Sequence, residues 1–169
     1  MSQTIIAVCA LVVAVYSIYA TIRHNKLSVM PKLIRSTNRN RQDNGITITF
    51  DLSNHGLGPA RIKSFDLFLD GKLFTSKWDP IEALLEAGLK GKVSYKLLSQ
   101  ACPGRDYCLI VGQTYRLAEI FFSGAKQSDE QRLKELFDRM NFRVEYESLY
   151  GVPDVLDTRD QPTEGKANK

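Results

Sequence analysis

The stretch that decides the fold is residues 46–71, ITITFDLSNHGLGPARIKSFDLFLDG. Apolar and polar residues alternate over 46–52, which is the period of a β-strand with one buried face. The turn-rich loop Asn54–Ala60 follows. A second alternating run over 61–70 predicts another strand, with a bulge because Ile62 is out of phase with Phe65. Asp70-Gly71 is a strong two-residue hairpin signal, so the stretch predicts antiparallel strands joined by short turns.

Further strand and helix signals continue toward the C-terminus. Capping signals predict helices opening at Asp79-Pro80 and at Ser128, and alternation predicts strands over 93–97, 107–111, 114–122 and 144–146. Trp78 is expected to cover the edge of the core. Six or seven short strands predict a mainly β fold, an antiparallel β-sandwich over residues 45–151 with two short peripheral helices. An α+β layer with both helices on one sheet is the alternative. Residues 152–169 carry two prolines and many charges, and we expect them to be disordered.

The segment TFDLSNHGLGPARIKSFDLFLDGK, residues 49–72, resembles the core hairpins of immunoglobulin-like, bacterial adhesion-type modules. In both, a strand, an Asn-x-Gly turn, a small residue and an Asp-Gly turn follow in that order. The chain as a whole, with an apolar N-terminal segment followed by HNKLSVMPKL, resembles uncharacterised single-pass membrane proteins of bacteria. These resemblances imply an immunoglobulin-like sandwich at a bacterial inner membrane, and they bring no catalytic residues with them.

An uncharged run of nineteen residues, Thr4–Ile22, precedes the sandwich. At a helical rise of 1.5 Å per residue it is about 28 Å long, close to the thickness of a bilayer's hydrocarbon core. Residues 1–22 are therefore predicted to be a transmembrane anchor. A cleaved signal peptide fits less well, because no basic residue precedes the run and Ile18 would occupy a cleavage position that requires a small residue.

One side of the predicted anchor is lined by small residues at three- and four-residue spacing. Small side chains let helices approach closely in lipid, which predicts a helix-contact face and a possible homodimer through the membrane. The alternative is that such residues are simply common in membrane segments. The predicted face consists of Ala7, Ala10, Ala14, Ser17 and Thr21.

The net charge of +4 is unevenly distributed. Six basic residues and no acidic residue lie between Arg23 and Arg41, so residues 23–44 are predicted to be a basic juxtamembrane segment. Within it, residues 27–35 are predicted to be extended, and residues 36–44 are predicted to be a polar loop or a short flexible connection. This places the positive charge outside the sandwich, which argues against a nucleic-acid partner. It favours contact with anionic membrane lipids, although the charges also fix topology. The predicted lipid-contact residues are Arg23, Lys26, Lys32 and Arg35.

The chain offers few groups for catalysis. It has two histidines and three cysteines, none at zinc-ligand spacing, and His55 is the only histidine beyond the basic segment. We therefore predict no catalytic, metal or cofactor site and expect a non-catalytic module that binds a protein partner or serves as an accessory subunit. The alternative is a thiol-redox or hydrolytic accessory enzyme that uses Cys102 and Cys108 or His55.

Two signals disagree about the side of the membrane that holds the sandwich. The excess of basic residues after the anchor favours the cytoplasmic side. A Pro-Gly turn between Cys102 and Cys108 can bring their sulfurs within bonding distance, and a disulfide would require the oxidising, periplasmic side. Burial of both cysteines as small apolar residues is a third explanation. The charge asymmetry acts directly on insertion, so we favour the cytoplasmic side, with the periplasmic side as the alternative.

Overall fold

Two antiparallel sheets form the body of the chain in the computed structural model, which describes residues 2–74, 80–89, 94–124 and 127–159. The described helices are α1 (Ser2–Ser28), α2 (Pro80–Leu89) and α3 (Gln127–Arg139). The described strands are β1 (Leu33–Gln42), β2 (Gly45–Asn54), β3 (Ala60–Leu69), β4 (Lys72–Phe74), β5 (Tyr95–Gln100), β6 (Cys108–Leu109), β7 (Thr114–Ser123), β8 (Met140–Glu147) and β9 (Pro153–Asp157). The mainly β fold class predicted from the sequence is confirmed.

Each sheet combines strands that are distant in the sequence. The first sheet has the order β1-β2-β7-β5, and the second has the order β4-β3-β8-β9. The short strand β6 pairs with the first residues of β3, whereas β4 pairs with its last residues. The chain therefore passes between the sheets after β2, β4, β5, β6 and β7, and side chains from both sheets share the interior.

The central stretch of the sequence folds as its pattern predicts. The pairing of β3 with β8 shifts register between Ile62 and Ser64, so Ile62 faces inward together with Phe65 and Leu67. Asp70 and Gly71 have φ angles of 53° and 74°. Positive φ at both central residues is typical of the tight hairpin turn, which glycine adopts without steric cost. The bulge and the hairpin are both confirmed.

Helices α2 and α3 complete the core at one end of the sandwich. Their buried apolar residues pack with Ile46 and Ile120 of the first sheet. The ring of Phe137 lies 4.8 Å from that of Phe50 and 6.0 Å from that of Phe122, measured between centroids. A second buried cluster, which includes Leu52 and Val144, joins the two sheets directly at the other end. The helical residues in the first cluster are Ile81, Leu85, Leu133, Leu136 and Phe137.

Strand β1 corrects the prediction of a polar loop over residues 36–44. Ten residues from Leu33 to Gln42 pair with β2 without interruption. The side chains of this strand are largely polar, but it lies at the edge of its sheet, where one side of the strand meets solvent. A polar sequence can fold as an edge strand because the backbone supplies the hydrogen bonds. Most of the predicted basic segment is therefore part of the sandwich.

Strand β9 corrects the prediction of disorder for the start of the C-terminal segment. Residues 153–157 pair with β8, and Leu156 is buried among residues of both sheets. Pro153 and the charged residues of β9 are accommodated because β9 is also an edge strand. Residues 160–169 lie outside the described residues, as do the predicted Trp78 contact, the Asp79 cap and Val93. The predicted strand over 107–111 is shorter than expected, at Cys108–Leu109.

Helix α1 extends the predicted apolar segment by six residues, from Ile22 to Ser28. Among the described residues it is the one helix long and apolar enough to cross a membrane, by length and composition. Its side chains are exposed along its length, in contrast to those of α2 and α3. Its apolar surface therefore makes no contribution to the sandwich core.

We expect the sandwich to fold without α1 but to require β1. A fragment of residues 27–159 keeps all nine described strands and should unfold cooperatively in urea, as followed by near-ultraviolet circular dichroism. A fragment of residues 45–159 loses the buried Leu33 and the whole edge partner of β2. It should aggregate or lack a cooperative transition. Equal transitions in both fragments would show that β1 is dispensable.

Candidate functional site at the joint between α1 and the sandwich

Three loops gather at the end of the sandwich where α1 enters. Leu33, at the start of β1, pairs with Asn54, which brings the β2–β3 loop to this end. The backbone N–H of Gly112 donates to the carbonyl of Asn54 at 2.9 Å, which adds the β6–β7 turn. Arg61 pairs with Glu147, so the β8–β9 turn is here as well. We call this the helix-proximal end, formed by residues 29–32, 54–60, 110–113 and 148–152.

The side chain of Asn54 joins these segments from a fully buried position. Its Nδ2 donates to the carbonyls of Gly58 and Leu109 at 2.8 and 2.9 Å. Its Oδ1 accepts from the backbone N–H of Lys32 at 3.2 Å and of Gly56 at 3.0 Å. Both donors and both lone pairs of the amide are thus satisfied. One amide holds the linker after α1, the β2–β3 loop and β6 together.

The linker and the β2–β3 loop also bond to each other through their backbones. The N–H groups of His55 and Leu57 donate to the carbonyls of Lys32 and Met30 at 2.8 and 2.9 Å. A Cβ atom on Gly58 would lie 2.0 Å from the carbonyl oxygen of Val29, and one on Gly56 would lie 2.2 Å from the backbone nitrogen of Lys32. Only glycine permits this approach. The linker is therefore fixed against the sandwich and is not a flexible tether.

Tyr146 holds the first residue of β1 from the opposite sheet. Its buried hydroxyl donates to Asp154 Oδ2 at 2.7 Å and accepts from the N–H of Leu33 at 3.4 Å. Burial, together with the hydrogen bond to Asp154, raises the pKa of this phenol well above its usual value. The hydroxyl therefore remains protonated and keeps its donor. These contacts tie β1 to β8 and β9 across the interior.

The outer faces of both sheets carry paired charges. On the second sheet, Glu147 accepts from Arg61 and lies 3.0 Å from Lys63 Nζ, and the hydrogen bond from Arg61 lowers the pKa of that carboxyl. On the first sheet, Arg116 Nε lies 3.3 Å from Asp51 Oδ1. The arginine of each pair is about half exposed, although Asp51 is buried, so solvent screens both pairs and they add little stability. They indicate hydrated sheet faces.

The interior contains a small apolar cavity beside α2 and α3. Its volume is about 60 Å³, and Phe50, Leu117 and Phe142 are among its lining residues. This is smaller than the roughly 150 Å³ that admits benzene in an engineered protein cavity. Arg35 also lines the cavity, because it shares the inward face of β1 with Leu33. We therefore assign the cavity to packing.

The four basic residues predicted to contact lipid have different locations. Arg23 and Lys26 are exposed on the last two turns of α1, and Lys32 is exposed in the linker. Arg35 is half-buried and lines the cavity between the sheets. The structure thus gathers three of these residues near the helix-proximal end and turns Arg35 toward the interior. The sequence pattern missed this because it placed Arg35 in the juxtamembrane segment and not in a strand of the sandwich.

The small-residue face of α1 is exposed along its whole length, from Ala7 to Thr21. Ser17 Oγ donates to the carbonyl of Val13, and Thr21 Oγ1 donates to that of Ser17, both at 2.8 Å. The hydroxyls are therefore satisfied within the helix. A contact through this face stays a prediction, and it depends on the small size of the side chains and not on their polarity.

The residues considered for catalysis are spread over separate places. His55 is exposed in the β2–β3 loop, and its ring makes no hydrogen bond within the described part of the chain. Cys102 packs against the helical core cluster, where burial raises the pKa of its thiol, whereas Cys108 is exposed on β6. Both are free thiols, so the predicted pairing is not formed in this structure. Among the described residues, no three His, Cys, Asp or Glu side chains are grouped to hold a metal ion.

No model of a known protein family matches the chain, and no curated protein matches it significantly in sequence. The interpretation of the joint therefore depends on its own geometry. Sequence reasoning identified the loop Asn54–Ala60 as a turn but missed its role. The signal was an asparagine at a strand end, followed by two glycines at alternate positions.

We expect Asn54→Asp to destabilise the sandwich strongly. Aspartate keeps an acceptor for Lys32 and Gly56 but places an oxygen against the carbonyls of Gly58 and Leu109. Leaving these buried groups unpaired should cost about 2–5 kcal/mol. Urea unfolding of the 27–159 fragment measures the change.

Asn40→Asp is the matched control, because it adds the same charge at an exposed position of β1. Its transition should stay close to that of the unmodified fragment. Equal midpoints for the two variants would contradict the role assigned to the Asn54 amide.

Proposed function

We propose that this chain is a single-pass protein of a bacterial inner membrane that presents a non-catalytic, immunoglobulin-like sandwich to a protein partner. The observation that carries the proposal is the fixed joint between α1 and the sandwich. A flexible tether would suffice to keep a domain near a membrane. A linker held by a buried amide and two close glycine contacts instead gives the sandwich one orientation relative to its helix. Fixed orientation suits a module that must meet a partner in or beside the same membrane.

The strand order supports the immunoglobulin-like part of the proposal. Immunoglobulin domains arrange strands A, B, E and D in one sheet and C, F and G in the other, and some add C′ beside C. Lettering β1, β2, β3 and β4 as A, B, C and C′, and β5, β7, β8 and β9 as D, E, F and G, reproduces that arrangement. Helix α2 then lies between C′ and D, and α3 lies between E and F. These insertions are the departure from a plain module.

The sheet edges are the surfaces we propose for the protein partner. The paired charges leave the outer sheet faces hydrated. Among the described strands, the large apolar side chains that are exposed all lie on edge strands. An edge strand offers unpaired backbone groups, and an exposed apolar side chain beside them adds affinity and selectivity. These side chains are Ile34 of β1, Leu73 of β4, Leu98 of β5 and Val155 of β9.

The thiol-redox and hydrolytic alternatives stay predictions, because the described residues around His55, Cys102 and Cys108 do not form a catalytic arrangement. A general base needs a neighbouring group to orient it, and the ring of His55 has no such hydrogen bond among the described residues. A redox pair needs two accessible sulfurs at bonding distance. Here Cys102 is packed against the core, whereas Cys108 is exposed.

We expect a photoreactive amino acid at an edge strand to crosslink the full-length protein to a discrete partner in cells. Positions 98 and 155 sample the edges of the two sheets, and both native side chains are exposed. Position 66, on the outer face of the central strand β3, should give no adduct. The absence of an adduct at every edge position would contradict the proposed module.

Two glycine variants test whether the joint matters to the partner. Gly58→Ala forces the linker away from the β2–β3 loop and should reduce the adduct, whereas Gly104→Ala meets no atom within 4 Å and should preserve it. His55→Ala and Cys102→Ser with Cys108→Ser should also preserve the adduct. If these last variants abolish the protein's activity in cells with the fold intact, the enzyme alternative is correct.

We propose the cytoplasmic side for the sandwich, and thiol labelling tests it. In a Cys9→Ser, Cys102→Ser background, a membrane-impermeant maleimide should leave Cys108 unlabelled in spheroplasts and label it after lysis, because this thiol is exposed. In the corresponding variant that retains only Cys102, labelling should be slower, because burial raises the pKa of that thiol and lowers its thiolate fraction. Ser2→Cys in the same background lies at the other end of α1 and should label before lysis.

Labelling of Cys108 in intact spheroplasts would place the sandwich outside. In the unmodified chain, protection that persists after lysis until a reductant is added would indicate a disulfide. That result would also place the sandwich in the periplasm.

A further inference from the structure

The three loops of the helix-proximal end each expose apolar side chains at their tips. These are Leu57 in the β2–β3 loop, Ile110 and Val111 in the β6–β7 turn, and Leu149 and Tyr150 in the β8–β9 turn. Between 50% and 72% of each residue's surface is exposed to solvent. Three loops that are distant in sequence thus expose apolar side chains at the same end of the sandwich. Such clusters on a soluble surface generally mark a contact site.

The distribution of charged residues also distinguishes the helix-proximal end. The three loops, residues 54–60, 110–113 and 148–152, contain no acidic residue. Lys32 is exposed in the adjacent linker, and Arg23 and Lys26 are exposed on the last two turns of α1. Apolar side chains flanked by lysine and arginine are typical of surfaces that lie in the headgroup region of a bilayer. A tyrosine at such a surface is typical as well.

The opposite end of the sandwich has different turns. Asp43 and Asn44 connect β1 to β2, and Asp70 and Gly71 connect β3 to β4. The ten residues of β3 separate the two ends by about 30 Å. Leu73, on β4, is exposed at this far end but lies on an edge strand beside polar turns. Among the loops that the structure describes, exposed large apolar tips therefore lie at the helix-proximal end.

The length of α1 places the tips near the membrane surface. Six helical residues, from Arg23 to Ser28, follow the apolar segment and rise about 9 Å along the helix axis. The headgroup region on each side of the hydrocarbon core is about 5–8 Å thick. The linker after Ser28 is hydrogen-bonded to the loop that carries Leu57. With α1 along the membrane normal, the fixed joint thus lies at about the outer boundary of the headgroups, and a tilt of the helix brings it closer to the hydrocarbon core.

We infer that the helix-proximal loops insert their apolar tips into the interface of the same bilayer that α1 spans, so that the sandwich rests on the lipid surface. This inference rests on the proposed membrane anchoring and adds a second lipid contact to it. The occupant is lipid because the tips lie at the end of the sandwich that joins α1, where the exposed basic residues Arg23, Lys26 and Lys32 also lie. A second copy or a protein partner covering the tips is an outcome that the experiment separates.

Tryptophan fluorescence with brominated lipids tests the inference on the full-length chain. Trp78, the chain's single tryptophan, is replaced in a Trp78→Phe background. Four variants then carry one tryptophan each: Leu57→Trp and Tyr150→Trp in the proximal loops, Leu73→Trp at the far end, and Tyr16→Trp in α1. Leu73→Trp is the matched control for Leu57→Trp, since both native leucines are exposed. Each variant is reconstituted into phosphatidylcholine–phosphatidylglycerol vesicles, with and without bromine on the acyl chains.

The inference predicts emission at shorter wavelength and loss of intensity in brominated vesicles for Leu57→Trp and Tyr150→Trp, with little change for Leu73→Trp. Tyr16→Trp reports on the anchor itself and should be quenched. If Tyr16→Trp is quenched while both loop variants behave like Leu73→Trp, the inference is wrong and the anchor stands. Blue-shifted loop variants without quenching mean that protein covers the tips, which also overturns it. If Tyr16→Trp is not quenched, the membrane anchoring itself fails, and the inference fails with it.

Discussion

The buried amide of Asn54 is the interaction on which the arrangement of this protein depends. It lies where β2 ends and holds four partners in three other places: the linker after α1, the loop that follows β2, and the end of β6. A buried amide is stable only when its donors and acceptors are all paired. The position of each segment is therefore constrained by the others. The glycines at 56 and 58 make this possible, because any side chain there would collide with the linker backbone.

The two ends of the sandwich differ in how their interiors are packed and in which residues their loops expose. At the far end, α2 and α3 supply buried apolar residues and widen the interior, which leaves the small cavity beside Phe50. At the helix-proximal end, the sheets pack directly on each other, and Tyr146 spans them to reach β1. At this end, the large apolar residues of the three loops are exposed at the loop tips. The structure thus combines a rigid connection to α1 with an apolar surface around that connection.

The charges complete this division of the surface. Ion pairs keep the outer sheet faces hydrated, whereas the basic residues near the exit of α1 have no acidic residue beside them in the proximal loops. Hydrated faces, edge strands with single exposed apolar residues and an apolar basic end are three distinct environments on one small domain. The proposed partner and the proposed lipid contact use different ones. A variant at one surface can therefore be examined without disturbing the other.

The sequence by itself determined the features that depend on near neighbours. Alternation over 46–52 and 61–70 gave β2 and β3, the phase change at Ile62 gave the bulge, and Asp70-Gly71 gave the hairpin. The uncharged run over 4–22 gave the apolar helix. These signals are readable because the periods of strands and helices and the steric freedom of glycine act over a few residues.

Only the tertiary structure decided which polar segments are strands and which loops meet. The sequences of β1 and β9 show little alternation of apolar and polar residues. Each strand nevertheless gains backbone hydrogen bonds from a neighbour that the sequence does not specify. Arg35 faces the interior because β1 pairs with β2, which no local pattern predicts. The partners of Asn54 lie up to 55 residues away, and the apolar tips come from three loops that are adjacent only after folding. Contacts between distant residues depend on the packing of the whole core, so the joint and its surface became visible only in three dimensions.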